Sequence, residues 1–223
     1  MKNIVKLFLP FVFLVFMTAC VRQPEPGSSQ PVDGSSAGRQ SQQPETDQSL
    51  LIDSNTISRA LVWSMRTDCD ITSPQFDTFQ LIVRLAVRQQ PEYCYYGLFP
   101  TNEKRETVFR MDKCDRMLYE IFGEDVRTAE SVFKDAGVDV SDGTATFSTD
   151  FGWGVQRYCP GDFMSSRFLT DQNQVECEFE LFVPVKDAQD PMSVSDGYYK
   201  IVYDIITENG HSFLRFNRME KKR

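Results

Sequence analysis

The sequence predicts an α+β domain in which N-terminal helices pack on a mainly antiparallel, curved β-sheet formed by the C-terminal half. Three observations predict it. Apolar residues recur at three- and four-residue spacing between Asn55 and Gly137, then alternate with polar ones from Gly143 onward, and Asn209-Gly210 supplies a tight-hairpin turn.

The helices come first. Ile57, Ala60, Leu61, Ser64 and Met65 predict a helix over Asn55–Arg66. Ser73-Pro74 reads as the start of a second, a capping hydroxyl followed by a proline whose missing N–H costs nothing there. Its stripe is Phe76, Phe79, Val83, Ala86 and Val87, and Gln90-Pro91 ends it. A third should run from about Phe109 to Phe122, stopped by Gly123, with Met111, Cys114, Leu118 and Ile121 inward. Val126, Ala129, Val132, Phe133 and Ala136 predict a fourth, closed by Gly137.

The strands follow. Ala145, Phe147, Thr149, Phe151 and Trp153 share one face of the first, and Met164–Leu169 forms the second. Val175, Cys177, Phe179, Leu181, Val183 and Val185 alternate with Glu176, Glu178 and Glu180 in a half-buried third. Both central residues of a type I′ turn need positive φ, which Asn-Gly tolerates. That turn pairs Glu208 with His211, Asp204 with Arg215, Tyr203 with Phe216 and Ile205 with Leu214, placing charges on one face and apolar pairs on the other. Glu176, Glu178, Glu180, Lys200, Asp204 and Arg215 are predicted to face away from the helices. This order of elements resembles the cystatin-like and nuclear-transport-factor-like cones, a curved sheet around a helix, and the resemblance carries no site with it.

Ahead of the domain, Lys2 and Lys6 precede the apolar run Leu7–Met17, and small residues follow. These are the three regions of an export signal, and the run is shorter than the ~20 residues a membrane span requires. Met17-Thr18-Ala19-Cys20 resembles the lipobox of bacterial lipoproteins, with Met17 where Leu is usual. The resemblance implies cleavage after Ala19, so that residues 1–19 are a signal peptide. It also implies acyl chains on Cys20 and a domain held on the extracytoplasmic side of a bacterial membrane. Two or more chains anchor stably, at roughly 0.8 kcal/mol per buried methylene. Val21, where such lipoproteins carry Asp when kept at an inner membrane, speaks against that retention. Residues 20–48 then form a lipidated tether rich in Gln, Ser, Pro and Gly, with a mean reach of about 30 Å as a flexible coil. Residues 49–223 are of single-domain size.

The chain carries 24 Lys and Arg against 32 Asp and Glu, a net charge of −8, and loss of Lys2 and Lys6 makes the remainder more acidic. Such a charge repels phosphate backbones, so no nucleic-acid partner is predicted. Neither a phosphate-binding loop nor a dinucleotide fingerprint occurs, so no cofactor is predicted. With one histidine, no H-E-x-x-H and no C-x-x-C, no metal is predicted either.

Five cysteines remain beside Cys20, and export permits disulfides. Cys114 lies on a helix's apolar stripe and reads as a buried thiol, which leaves Cys69–Cys94 and Cys159–Cys177 as the simplest of fifteen ways to make two bridges. Reduced core cysteines are the alternative.

Catalytic candidates are sparse. His211, the sole histidine, flanks a hairpin turn. Ser131-Val132-Phe133-Lys134 matches S-x-x-K, where lysine activates serine, but K-T-G and S-D-N are missing. Asp139–Gly143 lacks the ligand order of a calcium loop and reads as a turn. Glu176, Glu178 and Glu180 supply carboxylates of the kind glycoside hydrolysis uses. Tyr93, Tyr95, Tyr96, Phe99, Phe151 and Trp153, some beside glycines, fit either a core lid or a platform for a sugar or peptide. The sequence therefore predicts a lipid-anchored envelope protein with a non-catalytic binding or assembly domain for a protein, peptide or glycan. A hydrolase using carboxylates or Ser131, and a purely structural component, are the alternatives.

Overall fold

The computed structural model describes residues 46–71, 73–87, 99–149, 158–185 and 193–222, all within one compact unit. Helices α1 (Thr46–Ser64) and α2 (Thr78–Val87) come first. A short strand β1 (Thr107–Arg110), helices α3 (Met111–Phe122) and α4 (Ala129–Asp135), and a second short strand β2 (Thr144–Phe147) follow. The C-terminal half forms β3 (Cys159–Leu169), β4 (Gln174–Pro184), β5 (Ser193–Glu208) and β6 (His211–Lys221), an antiparallel sheet in the order β3-β4-β5-β6. The α+β class is as the sequence predicts.

α1 is the central element. Every residue from Leu50 to Val62 is buried or half-buried, so it is covered on all sides rather than along one stripe. It packs on the sheet face bearing Val175, Cys177, Phe179, Leu181, Ile201, Tyr203 and Leu214. The contact is partly polar. Ser58 Oγ lies 2.6 Å from Tyr203 Oη, Ser54 Oγ lies 2.6 Å from Ser166 Oγ, and Asn55 Oδ1 accepts from Ser166 Oγ at 2.7 Å and from Cys177 Sγ at 3.3 Å. Hydroxyls buried this way need partners, and only one helix register supplies them all.

α2 begins later than Ser73-Pro74 suggests. Arg66 N–H donates to Gln75 O (2.9 Å) and Asp77 N–H to Ser64 O (2.7 Å), holding 75–77 extended beside the end of α1. Asp77 is therefore the cap: its Oδ1 accepts the Gln80 N–H at 3.0 Å. β1 also departs from expectation, since Phe109 and Arg110 are strand and not the start of the third helix. β1 pairs with β2, and this ribbon stacks Phe109 on Phe147 (4.8 Å between centroids) within a cluster containing Phe79, Phe99 and Phe133.

The β5–β6 hairpin has the predicted register, Glu208 with His211, Asp204 with Arg215, Tyr203 with Phe216 and Ile205 with Leu214. Arg215 turns elsewhere. Its guanidinium lies 5.0 Å from the Tyr119 ring centroid and donates to Tyr119 O at 3.3 Å. α3 has no basic residue in its last turn, and this strand arginine supplies the positive charge that its C-terminal carbonyls favour.

Candidate functional site

Across the face of the sheet opposite α1, the register sets Arg167 beside Glu176, Glu178 beside Lys200, and Lys200 beside Glu220. Each carboxylate has a cation. Arg167 Nη2 reaches Glu176 Oε1 at 2.7 Å, Lys200 Nζ reaches Glu176 Oε2 at 2.9 Å and Glu220 at 3.0 Å, and Lys222 reaches Glu178 at 2.6 Å. Burial works to raise the Glu176 carboxyl, but hydrogen bonds and charge from Lys200 and Arg167 outweigh it and hold it below the usual carboxylate range. Glu180 accepts from Ser195 Oγ at 2.5 Å. Glycoside hydrolysis needs one carboxyl raised so that it can donate a proton, and Glu176 is pushed the other way.

The S-x-x-K pair does not meet. Ser131 Oγ accepts from Arg127 Nη2 at 2.7 Å, while Lys134 Nζ is bonded to Glu130 at 2.6 Å. His211 is solvent-exposed and lies 3.8 Å from Glu120. Asp139–Gly143 is the turn into β2, with Ser141 O accepting from Thr144 N–H. Among the described residues, no group of three or more His, Cys, Asp and Glu is placed to hold a metal ion.

Of the aromatic candidates, Phe99 is buried against Phe109 at 5.4 Å and offers no ligand face. Tyr93, Tyr95, Tyr96, Phe151 and Trp153 lie outside the described residues, as do Cys20 and Cys94. The expected Cys159–Cys177 bridge does not form. Cys159 lies opposite Phe182 and Cys177 opposite Ser166, so the two are several residues apart along paired strands. Cys69 is a free thiol donating to Arg66 O at 2.9 Å in the loop after α1, and its expected partner Cys94 lies outside the described residues. Cys114 is fully buried, and desolvation pushes its thiol up to about 12.

A groove that no motif announces lies where the end of α1, the start of α2 and α4 converge. Its volume is about 340 Å³, and it is lined by Arg66, Phe76, Asp77, Thr78, Phe79, Arg127, Val132, Asp135 and Ala136. Three elements far apart in sequence contribute, and tertiary packing alone reveals it. The floor is rigid: Phe79 meets Phe133 edge-on at 5.3 Å, and Phe76 meets Phe216 edge-on at 5.5 Å. The rim is charged. Arg66 is bonded to Asp68 through Nε (2.9 Å) and Nη2, and Arg127 pairs with Asp135.

The chain is thus an α+β domain with an ion-paired sheet face and a small groove of mixed charge. No known protein family, curated protein or solved structure matches it.

Proposed function

We propose that this protein is a lipid-anchored component of the bacterial cell envelope whose α+β domain is a non-catalytic binding or assembly module for an envelope protein, peptide or glycan. The apolar run ending at Met17-Thr18-Ala19-Cys20 supports the anchor. One observation carries the binding reading: the serine, the lysine and the most buried carboxylate that the sequence offers for catalysis are held by structural partners, and His211 lies exposed beside the hairpin turn. Ser131 is held by Arg127, Lys134 by Glu130, and Glu176 by Arg167 and Lys200. Proton transfer needs a group poised near its operating pH, and Glu176 is driven away from that range. Among the described residues no helix is long and apolar enough to cross a membrane.

Two measurements test the proposal. Growth of a producing bacterium with an alkyne palmitate analogue should label the wild-type protein and leave Cys20→Ala unlabelled. Equal labelling of both, or none of either, removes the anchor. Cross-linking of the full chain in its native envelope should then trap a defined partner or glycan. Turnover of an envelope ester or glycoside by the purified protein, abolished by Glu176→Gln, would instead establish the hydrolase.

A further inference from the structure

We propose that the groove between α2 and α4 binds a small zwitterion with an apolar body, a free amino acid or a dipeptide. Its carboxylate meets Arg66 and Arg127, and its ammonium meets Asp77 and Asp135. This rests on reading the domain as a binding module, and it is independent of the lipid anchor.

The charge of the lining decides the class of ligand. Two guanidiniums and two carboxylates border the same space, Arg127 paired with Asp135 across the rim and Arg66 with Asp68 beside it, so opposite charges already lie side by side. An anion would face two carboxylates and a cation would face two guanidiniums, whereas a zwitterion satisfies both sets. Phe76, Phe79, Val132 and Ala136 add an apolar part to this mixed lining. The two rings are held in edge contacts with Phe216 and Phe133, so an apolar side chain meets a pre-formed wall. A volume of about 340 Å³ holds one or two amino-acid residues and excludes a folded chain.

The arginines are both positioned and available. The side chain of Arg66 is 52% exposed and that of Arg127 57%, each fixed by a neighbouring carboxylate. Exposed pairs of this kind contribute little to stability, so sharing the guanidinium with an incoming carboxylate sacrifices little. Arg127 is further fixed by the Ser131 hydroxyl. That contact gives the serine of the S-x-x-K match a positioning role in place of a nucleophilic one.

The test is calorimetric titration of the detergent-solubilised full chain with alanyl-phenylalanine. Saturable one-to-one binding is expected, weakened at least tenfold by acetylating the amine or amidating the carboxyl. Arg127→Gln should weaken binding tenfold or more. Should that variant unfold, Ala136→Leu keeps every charge, fills the groove from an exposed position and should abolish binding. The inference is overturned by absence of saturable binding at millimolar dipeptide, by a doubly blocked dipeptide that binds as well as the free one, or by undiminished affinity in Ala136→Leu. If a cross-linked envelope partner is found while the dipeptide fails, the groove assignment falls and the binding module stands.

Discussion

Glu176 sits on the face of the sheet away from α1, yet solvent reaches only 2% of it. The side chains of its partners are far more exposed, Lys200 at 27% and Arg167 at 66%, so the pair is shielded on one side and screened on the other. Removing one member of a fully buried pair costs ~3–5 kcal/mol, and exposed pairs contribute ~0–1. Glu176→Gln should therefore cost about 1–2 kcal/mol at neutral pH, between those limits. Because the folded-state pKa is depressed, this stabilisation is present above the ~4.3 of an unfolded glutamate and is lost as pH falls through the folded value. Urea unfolding of wild type and variant should thus diverge at pH 7 and converge in acid. A difference of the same size at both pH values would show that packing, not charge, is what Glu176 contributes.

At the scale of the element, the β5–β6 hairpin depends on two residues with positive φ, Asn209 at 52° and Gly210 at 79°. A side chain placed on Gly210 would meet nothing within 4 Å, so any cost of substitution there is a backbone cost. Gly210→Val should destabilise by about 1–3 kcal/mol, and Gly210→Asn by less, since asparagine tolerates the left-handed region. Urea midpoints that ranked valine with glycine would mean the turn can change type freely. This hairpin was legible in the sequence to the individual pair, because turn chemistry and alternation agree there. The α+β division was legible for the same reason. α1 was only half legible: Ser54, Asn55, Thr56 and Ser58 interrupt the apolar stripe, so the helix reads from Asn55 although it begins at Thr46. Its hydroxyls find their partners on strands more than a hundred residues away, which no local pattern records. β1 was lost because four residues are too few for a period and Phe109 continues the spacing of α3. The groove was illegible altogether, since Arg66, Asp77 and Arg127 meet only after α1, α2 and α4 have packed.

For the whole molecule, the question is how a chain read as exported holds together with free thiols at Cys69, Cys114, Cys159 and Cys177. Oxidising compartments favour bridges, but thiol–disulfide exchange begins with a thiolate that can reach a partner. Burial raises the thiols of Cys114, Cys159 and Cys177. Cys177 is enclosed beneath α1, and Cys159 is displaced from it along the sheet. These four cysteines thus serve as small core or loop residues, and cohesion among the described residues falls to one apolar cluster that spans α1, α2, α3, α4 and the sheet. A disulfide typically contributes ~2–4 kcal/mol, and each kcal/mol moves the melting temperature of a domain this size by about 2–4 °C. A single bridge would therefore show as a fall of roughly 4–16 °C on reduction. With no bridge among these four, the melting temperature of protein purified from its native source should be the same with and without dithiothreitol. A fall of that size, with loss of a mass signature for a linked peptide pair, would place the stability of the domain in a covalent tie rather than in the core around α1.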